Sequence, residues 1–277
     1  MDIMEPHPQV MGILNITPDS FSDGGNFIEE KAAIKHGMQM AEEGADIIDI
    51  GGESTRPGAR RISASMQIKR VLPVIEGLKR KLPARTTISI DTTLAEVAEA
   101  AIRAGATMVN DISAGRDDMQ MFPLVASKKI PLVLMHMQGT PEDMQRNPHY
   151  LNVVDEILSF LSERIIQAKA AGVDGKNIVI DPGIGFGKSF EHNLSIMHNL
   201  DKFVNTGYRV LLGVSRKKFL QDLCDYENLS ESCGATCAIT AMSVLAGIAI
   251  SRVHDVRENR QIVDVISGLS KSSTDFS

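Results

Sequence analysis

Eight short apolar runs, rich in β-branched residues, recur along the chain, and each of them ends abruptly on a polar or charged residue. Between successive runs there is nearly always a stretch with apolar residues at helical spacing, so strand, loop and helix alternate eight times. The runs end at Asn15, Glu53, Asp91, Asn110, His136, Asp181, Ser215 and Arg252. This alternation predicts a parallel (β/α)8 TIM barrel, in which the last residue of every strand reaches the rim where the chemistry of such barrels takes place.

Length and composition agree with one large domain. The chain has 277 residues, of which 43% are hydrophobic and 23% charged, and barrels of this kind need about 250 residues. We expect a single domain over residues 1–277, with an ordered core of about residues 8–270 because chain ends usually fray. An open, doubly wound sheet is the alternative, but it normally has fewer strands and a glycine fingerprint after the first of them.

Charge, cysteine content and hydropathy restrict the partners and the compartment. The net charge of −6 argues against a nucleic-acid-binding surface. Three clustered cysteines, Cys224, Cys233 and Cys237, do not form a disulfide scaffold and indicate a reducing compartment. The apolar window at residues 238–250 is shorter than the ~20 residues that span a bilayer, and no signal peptide is recognisable. We therefore predict a cytoplasmic protein that binds neither nucleic acid nor membranes.

The segment DPGIGFGK, at residues 181–188, is the most specific motif. Its three glycines would allow the backbone to approach a flat ligand, and Phe186 offers a ring face for stacking. Asp181 ends a buried strand and therefore needs a partner, such as adjacent N–H donors on the edge of a ring. The alternative is a tight turn between strand and helix that has no chemical role.

Two further polar residues end neighbouring strands of the predicted barrel. Asp91 offers acceptors and Asn110 offers both a donor and an acceptor, a set that suits a heterocycle with amino, N–H and carbonyl groups on its edge. Each residue alone could instead bond to the backbone of a neighbouring loop. Together with Asp181 and the nearby Lys217, they favour a ligand site.

A second constellation is cationic. Arg56 follows the second strand, Lys217 follows the seventh, and Arg252 and His254 share one side of the eighth because side chains alternate along a strand. Cations on facing loops of a barrel rim indicate a polyanion, for which phosphate is the usual candidate. Asn15 could add an oxygen ligand for Mg²⁺, which binds few protein oxygens and relies on substrate phosphates.

The helices are predicted from apolar spacing and from their end signals. The clearest lies over residues 150–171 and stops at Gly172. Thr93, with Glu96 three residues later, has the spacing of a capping box and predicts that the third helix begins there and ends at Gly105. Cys233 and Cys237 would share one helix face. They could hold a metal, but small buried residues are far commoner at such positions, so we assign them no function.

Eight motifs occur in a fixed order over nearly the whole chain: MGILNITPDSFSDGG, IDIGGESTRPGA, SIDT, VNDISAG, MHMQGTP, DPGIGFGK, GVSRKKF and RVHDV. Together they closely resemble the dihydropteroate synthases, a family of pterin-binding barrels. No position that would carry function departs from the family's pattern, although the cysteine-containing segment before the last strand is less distinctive.

The resemblance implies an activity and assigns roles to residues. The implied reaction joins 7,8-dihydropterin-6-ylmethyl diphosphate to p-aminobenzoate with Mg²⁺, and gives 7,8-dihydropteroate and pyrophosphate after the diphosphate departs. The implied catalytic residues are Asp91, Lys217, Arg252 and His254. The implied pterin site is Asp91, Asn110, Ile112, Met137, Asp181, Phe186 and Lys217. The implied diphosphate site is Asn15, Arg56, Arg252 and His254, with Asn15 also as Mg²⁺ ligand, and the implied p-aminobenzoate site is Phe21, Thr55, Pro57, Ser215 and Lys217.

The resemblance also implies a homodimer packed through late helices, and competition between sulfonamides and p-aminobenzoate. Glu53 and His136 receive no role beyond support of the loops that follow them. Three other functions remain open from the residues alone. A pterin-dependent methyltransferase would share the ring-binding residues but would not need the diphosphate-binding cations, a Schiff-base aldolase would use Lys217 at the rim, and a non-catalytic pterin-binding or scaffold protein would release no pyrophosphate.

Overall fold

The computed structural model describes residues 7–17, 26–224 and 226–272. Within these ranges, eight parallel strands close into a barrel, and helices surround it. The strands are β1 (Gln9–Asn15), β2 (Ile47–Gly51), β3 (Thr87–Asp91), β4 (Met108–Asp111), β5 (Leu132–Met135), β6 (Ile178–Asp181), β7 (Arg209–Leu212) and β8 (Ile250–Val253). The helices are α1 (Asn26–Glu42), α2 (Ala64–Lys79), α3 (Ala95–Ala104), α4 (Met121–Lys128), α5 (Val153–Ala170), α6 (Phe190–His198), α7 (Leu200–Val204), α8 (Lys218–Cys224), α9 (Cys233–Leu245) and α10 (Val256–Ser272). The predicted (β/α)8 architecture is confirmed.

The strands follow one another around the barrel in chain order, and β1 pairs with β8 to close it. The register aligns Asn15 with Gly51, Gly51 with Asp91, and Asp91 with Asn110. These four residues therefore form one row at the carboxyl ends of the strands. The glycine lets Asn15 and Asp91 approach the row closely, since a Cβ on it would lie 3.3 Å from Asn15 Oδ1.

The barrel interior has an apolar lower layer and a polar upper layer. The lower layer is a buried cluster made of Met11, Ile47, Met108, Val133, Val179, Leu211 and Ile250. Side chains alternate along a strand, so the residue two positions later points to the same side. Asp49, Asn110, Asp181 and Arg252 each follow a member of this cluster by two positions. The alternation that fills the lower barrel therefore aims these polar groups into the mouth.

Two predicted strands extend too far. The runs predicted to end at Glu53 and Ser215 leave the sheet earlier, because β2 ends at Gly51 and β7 ends at Leu212. Ser215 therefore lies in the loop after β7, and His254 directly follows the end of β8 at Val253. In the opposite direction, β4 continues one residue past Asn110 to Asp111.

The predicted capping box of Thr93 and Glu96 is wrong. Helix α3 begins at Ala95, and no side chain of its own N-terminal segment caps it. Instead the Ala95 N–H donates to Asp118 Oδ2 at 2.8 Å. A cap supplied from the next loop satisfies the same unpaired donor that a local cap would satisfy.

The described residues give no sign of a membrane span or of a His/Cys/Asp/Glu metal centre. No helix in the described ranges is long and apolar enough to cross a bilayer, and no group of three such side chains there is arranged around one point. Cys233 and Cys237 lie on α9 as free thiols.

Candidate functional site

A buried ionic cluster lies in the barrel mouth. Arg252 donates from Nε to Asp49 Oδ2 at 2.7 Å and from Nη2 to Asp91 Oδ2 at 2.9 Å. Asn110 Nδ2 also donates to Asp49 Oδ2, at 2.9 Å. Asp91, Asn110 and Arg252, which were predicted as the endings of three strands, thus belong to one network with Asp49.

Asp49 was not predicted as a site residue. It is completely buried, and its Oδ1 has no hydrogen-bond partner among the described residues. The available signal was a single charged residue inside the otherwise apolar strand IIDIG. A carboxylate at such a position requires a partner, but the partner, Arg252, lies 203 residues away in the chain.

The cluster holds two carboxylates and one guanidinium. Burial raises the pKa of Asp91 to about 7; the positive charge of Arg252 opposes this effect and the negative charge of Asp49 adds to it. One cation cannot fully compensate two buried carboxylates. Any further positive charge that develops beside Asp91 would therefore interact favourably with its carboxylate.

Lys217 and Asp181 form the opposite side of the mouth. Burial lowers the pKa of Lys217 to about 8 and raises the pKa of Asp181, and the attraction between the two charges opposes both shifts. Lys217 Nζ donates to the Ile184 carbonyl and lies 4.7 Å from the centroid of the Phe186 ring. Asp181 Oδ1 accepts from Gly183 N at 2.7 Å.

Backbone geometry and close packing require glycine at two positions of the predicted ligand loop. Gly183 and Gly187 have φ angles of +69° and +63°, which favour glycine. A Cβ on Gly183 would lie 1.9 Å from the His136 carbonyl oxygen, and one on Gly187 would lie 2.4 Å from that of Gln138. The close approach expected to a flat ligand is thus an approach to the backbone of the loop after β5.

An apolar wall adjoins this loop. Ile112, Met135, Met137 and Met144 form a buried cluster on which Phe186 packs. Ile112, Met137 and Phe186 were assigned to one ring-binding surface by resemblance, and the structure brings them together. The two additional methionines are residues that the sequence analysis did not single out.

Positive charges converge on His254. Its Nδ1 lies 3.0 Å from Ser215 Oγ. Burial, reinforced by the charges of Arg216, Arg252, Arg56 and Lys217, lowers the pKa of His254 to about 3. The predicted cationic constellation therefore gathers around one neutral imidazole, in a chain whose net charge is −6. Such a concentration of positive charge favours a bound anion.

The remaining predicted site residues lie around this mouth or outside the described ranges. Asn15 is half-buried at the end of β1, and Thr55 is half-buried in the loop after β2, where Arg56 and Pro57 are exposed. No hydrogen bond of the described residues joins Thr55 to Ser215. Phe21 lies outside the described residues.

Glu53 and His136 act on neighbouring loops. Glu53 Oε1 accepts from Ile62 N at 2.7 Å, which ties together the two ends of the loop after β2. His136 Nδ1 lies 3.0 Å from Lys188 Nζ. Both contacts agree with the supporting role predicted for these two strand endings.

Comparison with known proteins gives a consistent result. The family described as pterin binding enzyme matches residues 11–254. The dihydropteroate synthase of Streptococcus pyogenes serotype M6 is 44% identical over 268 residues, which cover 96% of this chain and 97% of that protein.

Solved structures agree in fold as well as in sequence. The Xanthomonas albilineans dihydropteroate synthase with 4-aminobenzoic acid is 42% identical with a TM-score of 0.89, and the match covers 95% of this chain and 93% of that one. The Yersinia pestis dihydropteroate synthase in a sulfonamide drug complex is 36% identical with a TM-score of 0.89, covering 98% and 96%. With the closed barrel and the polar cluster at its mouth, these matches show that the chain belongs to the dihydropteroate synthase family of pterin-binding enzymes.

Proposed function

We propose that the protein joins 7,8-dihydropterin-6-ylmethyl diphosphate to p-aminobenzoate and releases 7,8-dihydropteroate and pyrophosphate. It is a transferase of the dihydropterinylmethyl group. The observation that carries this function is that one barrel mouth gathers hydrogen-bonding groups for a ring edge, at Asp181 and Asn110, and a concentration of positive charge, at Arg252 and around His254. A pterin that bears a diphosphate has both chemistries in one molecule.

The pterin would lie between the buried polar groups and the apolar wall. Asp181 accepts N–H donors, Asn110 offers mixed hydrogen bonding, and Asp91 faces the same space. Ile112, Met137 and Phe186 would pack on the ring, with Lys217 beside Phe186. A methyltransferase would share this half of the site. The cations around His254 favour the synthase over that alternative.

The diphosphate would bind at the cationic side. Arg252, His254 and Arg56 would hold it, and Asn15 lies in the same row of residues as Asp91. Burial is the main cause of the lowered pKa of His254, and a bound anion would oppose the part that the neighbouring positive charges add. An imidazolium binds phosphate oxygens more strongly than a neutral imidazole.

The donor set beside β1 fits Mg²⁺. A Cβ on Gly51 would lie 3.3 Å from Asn15 Oδ1 and 3.8 Å from Asp91 Oδ2, so two hard oxygen atoms lie close together beside this glycine. Oxygen ligands of this kind, few in number and supplemented by substrate phosphates, suit Mg²⁺. Asn15 would hold the ion, which when bound would neutralise charge on the departing diphosphate.

The p-aminobenzoate would bind on the loop after β7. Ser215 and Lys217 lie there, and Phe21, Thr55 and Pro57 would complete the pocket from the first two loops. Its carboxylate would lie near the start of α8, where backbone N–H groups favour an anion. The solved Xanthomonas albilineans relative holds 4-aminobenzoic acid, which supports this substrate.

Departure of the diphosphate would precede attack by the aniline nitrogen. The reacting carbon is attached to an electron-rich ring, which can delocalise the positive charge left behind. The site then needs electrostatic stabilisation of the leaving group more than a general base. Arg252, His254 and Arg56 supply it, Asp91 faces the developing ring charge, and the neutral amine requires only positioning.

The decisive experiment measures pyrophosphate release from the pterin diphosphate, with p-aminobenzoate and Mg²⁺ each omitted in turn. We expect release to require both, and a sulfonamide to raise the KM for p-aminobenzoate without lowering kcat. Release that does not depend on p-aminobenzoate would exclude the synthase. Methyl transfer to a corrinoid would favour the pterin-dependent methyltransferase. Labelling of Lys217 when borohydride traps a carbonyl substrate would favour the Schiff-base aldolase. Pterin binding without turnover would favour the non-catalytic pterin-binding or scaffold protein.

The protein would act as a homodimer in the cytoplasm. Met242 and Leu245 on α9 and Val265 on α10 are large apolar side chains that are 49%, 70% and 57% exposed. Exposed apolar surface on two adjacent helices is typical of an interface between subunits. Free thiols at Cys224, Cys233 and Cys237 agree with a reducing compartment. A monomeric mass in sedimentation equilibrium would contradict the dimer.

A further inference from the structure

A lysine that the proposed chemistry does not use is buried behind the ring-binding wall. Lys188 is only 3% exposed, although it directly follows the glycine-rich loop. Its Nζ lies 3.0 Å from His136 Nδ1, and it donates to the Phe186 carbonyl at 2.9 Å and to the His136 carbonyl at 3.4 Å. Phe186 belongs to the apolar wall, and His136 immediately precedes Met137 of that wall. One amino group therefore joins the two loops that carry Phe186 and Met137.

Side-chain hydrogen bonds to successive backbone carbonyls hold the loop that carries Phe186. Four successive carbonyls, of residues 184–187, each accept from a different side chain: Lys217, Gln145, Lys188 and Tyr150. Of these contacts, that of Lys188 is made to Phe186, whose ring belongs to the apolar wall. Arg116 Nη2 donates to the carbonyl of Met137, another residue of that wall, at 3.0 Å. Both wall residues are thus positioned through their backbone.

Burial of this lysine is unfavourable by itself. Burial lowers the pKa of Lys188 well below its ordinary value, with the charge of Asp181 acting in the opposite direction and that of Lys217 adding to the shift. The neighbouring His136 has a pKa lowered to about 2, first by burial and then by the charges of Lys188 and Arg116. A neutral imidazole can accept from the amino group. An apolar side chain of similar length would fill the same volume without desolvating a charge.

We propose that Lys188 is a positioning residue for the pterin, which fixes the places of Phe186 and Met137 in the apolar wall by holding the Phe186 carbonyl and His136 to one amino group. It acts through these two residues and would touch neither p-aminobenzoate nor the diphosphate. The inference rests on the proposed function, because it takes the apolar wall as the surface on which the pterin ring packs.

Lys188→Met tests the inference, because methionine keeps an unbranched apolar side chain but removes all three donors. Phe186 and Met137 would then be less firmly held in the wall on which the pterin packs, and a tenfold loss of affinity corresponds to about 1.4 kcal/mol. We expect the KM for the pterin diphosphate to rise about tenfold or more, with the KM for p-aminobenzoate within about twofold and kcat changed less than the pterin KM. Lys176→Met is the matched control, since that side chain is 78% exposed at the other end of β6, and it should match wild type.

Titration with 6-hydroxymethyl-7,8-dihydropterin, followed by the fluorescence of the ligand, gives a second readout that does not depend on turnover. Its affinity should fall in Lys188→Met, whereas the affinity for pyrophosphate with Mg²⁺ should not. If Lys188→Met does not fold, Lys188→Gln, which retains a donor, should show a smaller but equally selective loss of pterin affinity.

Equal changes in both KM values, or an unchanged pterin affinity in a folded variant, would show that Lys188 only stabilises the loops. Wild type that binds pterin without making dihydropteroate would refute the proposed function while leaving the titration as a test of Lys188.

Discussion

Arg252 has two functions that depend on one side chain. It supplies positive charge to the proposed diphosphate site, and it compensates two carboxylates, of which Asp49 is fully buried. Removal of one partner of a buried pair leaves an uncompensated charge, and this costs more than the pair itself contributes. Loss of Arg252 should therefore affect stability as well as catalysis.

We predict that Arg252→Ala abolishes pyrophosphate release and lowers the free energy of unfolding by about 3 kcal/mol, because Asp49 then lacks its cation. Adding Asp49→Asn to this variant should recover part of the lost stability but none of the activity. Urea unfolding and the release assay measure the two effects separately. If the double variant were as unstable as Arg252→Ala, the pairing with Asp49 would not be the source of the loss.

At the scale of elements, α3 shows that a side chain from a neighbouring loop can cap the start of a helix. Thr93 and Glu96 have the right types and spacing for a capping box, yet Thr93 Oγ1 accepts from Arg61 and the first helical N–H bonds to Asp118. The local capping-box pattern therefore does not form, because Arg61 and Asp118, which only folding brings near, bond to these groups instead. The same loops carry Asp117, which pairs with Arg61, so the loops after β2, β3 and β4 are joined.

We predict that Asp118→Ala lowers the free energy of unfolding by about 1 kcal/mol, the usual effect of removing a helix cap. Glu96→Ala should change it by less than about 0.5 kcal/mol, since Glu96 is exposed and forms no capping box. Urea unfolding of both variants checks this. A larger effect of Glu96→Ala than of Asp118→Ala would restore the cap predicted from the sequence.

At the scale of the whole molecule, burial creates opposing responses to pH. The pKa of His136 is lowered to about 2, mainly by burial. Burial acts on Asp91 and Asp111 in the other direction and raises their pKa values to about 7 and about 6. The folded state therefore excludes a proton from His136 and retains protons on the two carboxyl groups.

The neutral, buried His136 makes the stability of the folded state depend on pH. The unfolded chain protonates this histidine as the pH falls below 6.5, and the folded chain does not, so its contribution to stability is present above pH 6.5 and is lost as the pH falls toward 2. The two carboxyl groups contribute in the opposite sense, with stability that is lost as the pH rises through their folded values.

We predict that His136→Asn weakens the fall in unfolding free energy between pH 6.5 and pH 4 relative to wild type. His198→Asn, at an exposed position, should leave that slope unchanged. Because Asp91 and Asp111 are present in all three proteins, the difference isolates His136. Parallel pH profiles for wild type and His136→Asn would contradict the expected burial of a neutral imidazole.

Much of the site follows from two regularities in the sequence. Polar strand endings located the rim, and alternation along each strand placed Asp91, Asn110, Asp181 and Arg252 on the inner side. These regularities are local, because they depend on the geometry of single strands and on the common direction of all of them. Asp49 obeys the same alternation but is not a strand ending, since it precedes the end of β2 by two residues.

By itself, the sequence determined the barrel, the rim and the types of group gathered there. Only the tertiary structure decided which groups are partners: Arg252 bonds to Asp49 and Asp91, Asp118 caps α3, and Lys188 connects His136 to Phe186. Periodicity is set by the backbone within one element, so it can be read locally. Pairing and burial depend on distances between elements far apart in the chain, and they decide which of the gathered charges are compensated.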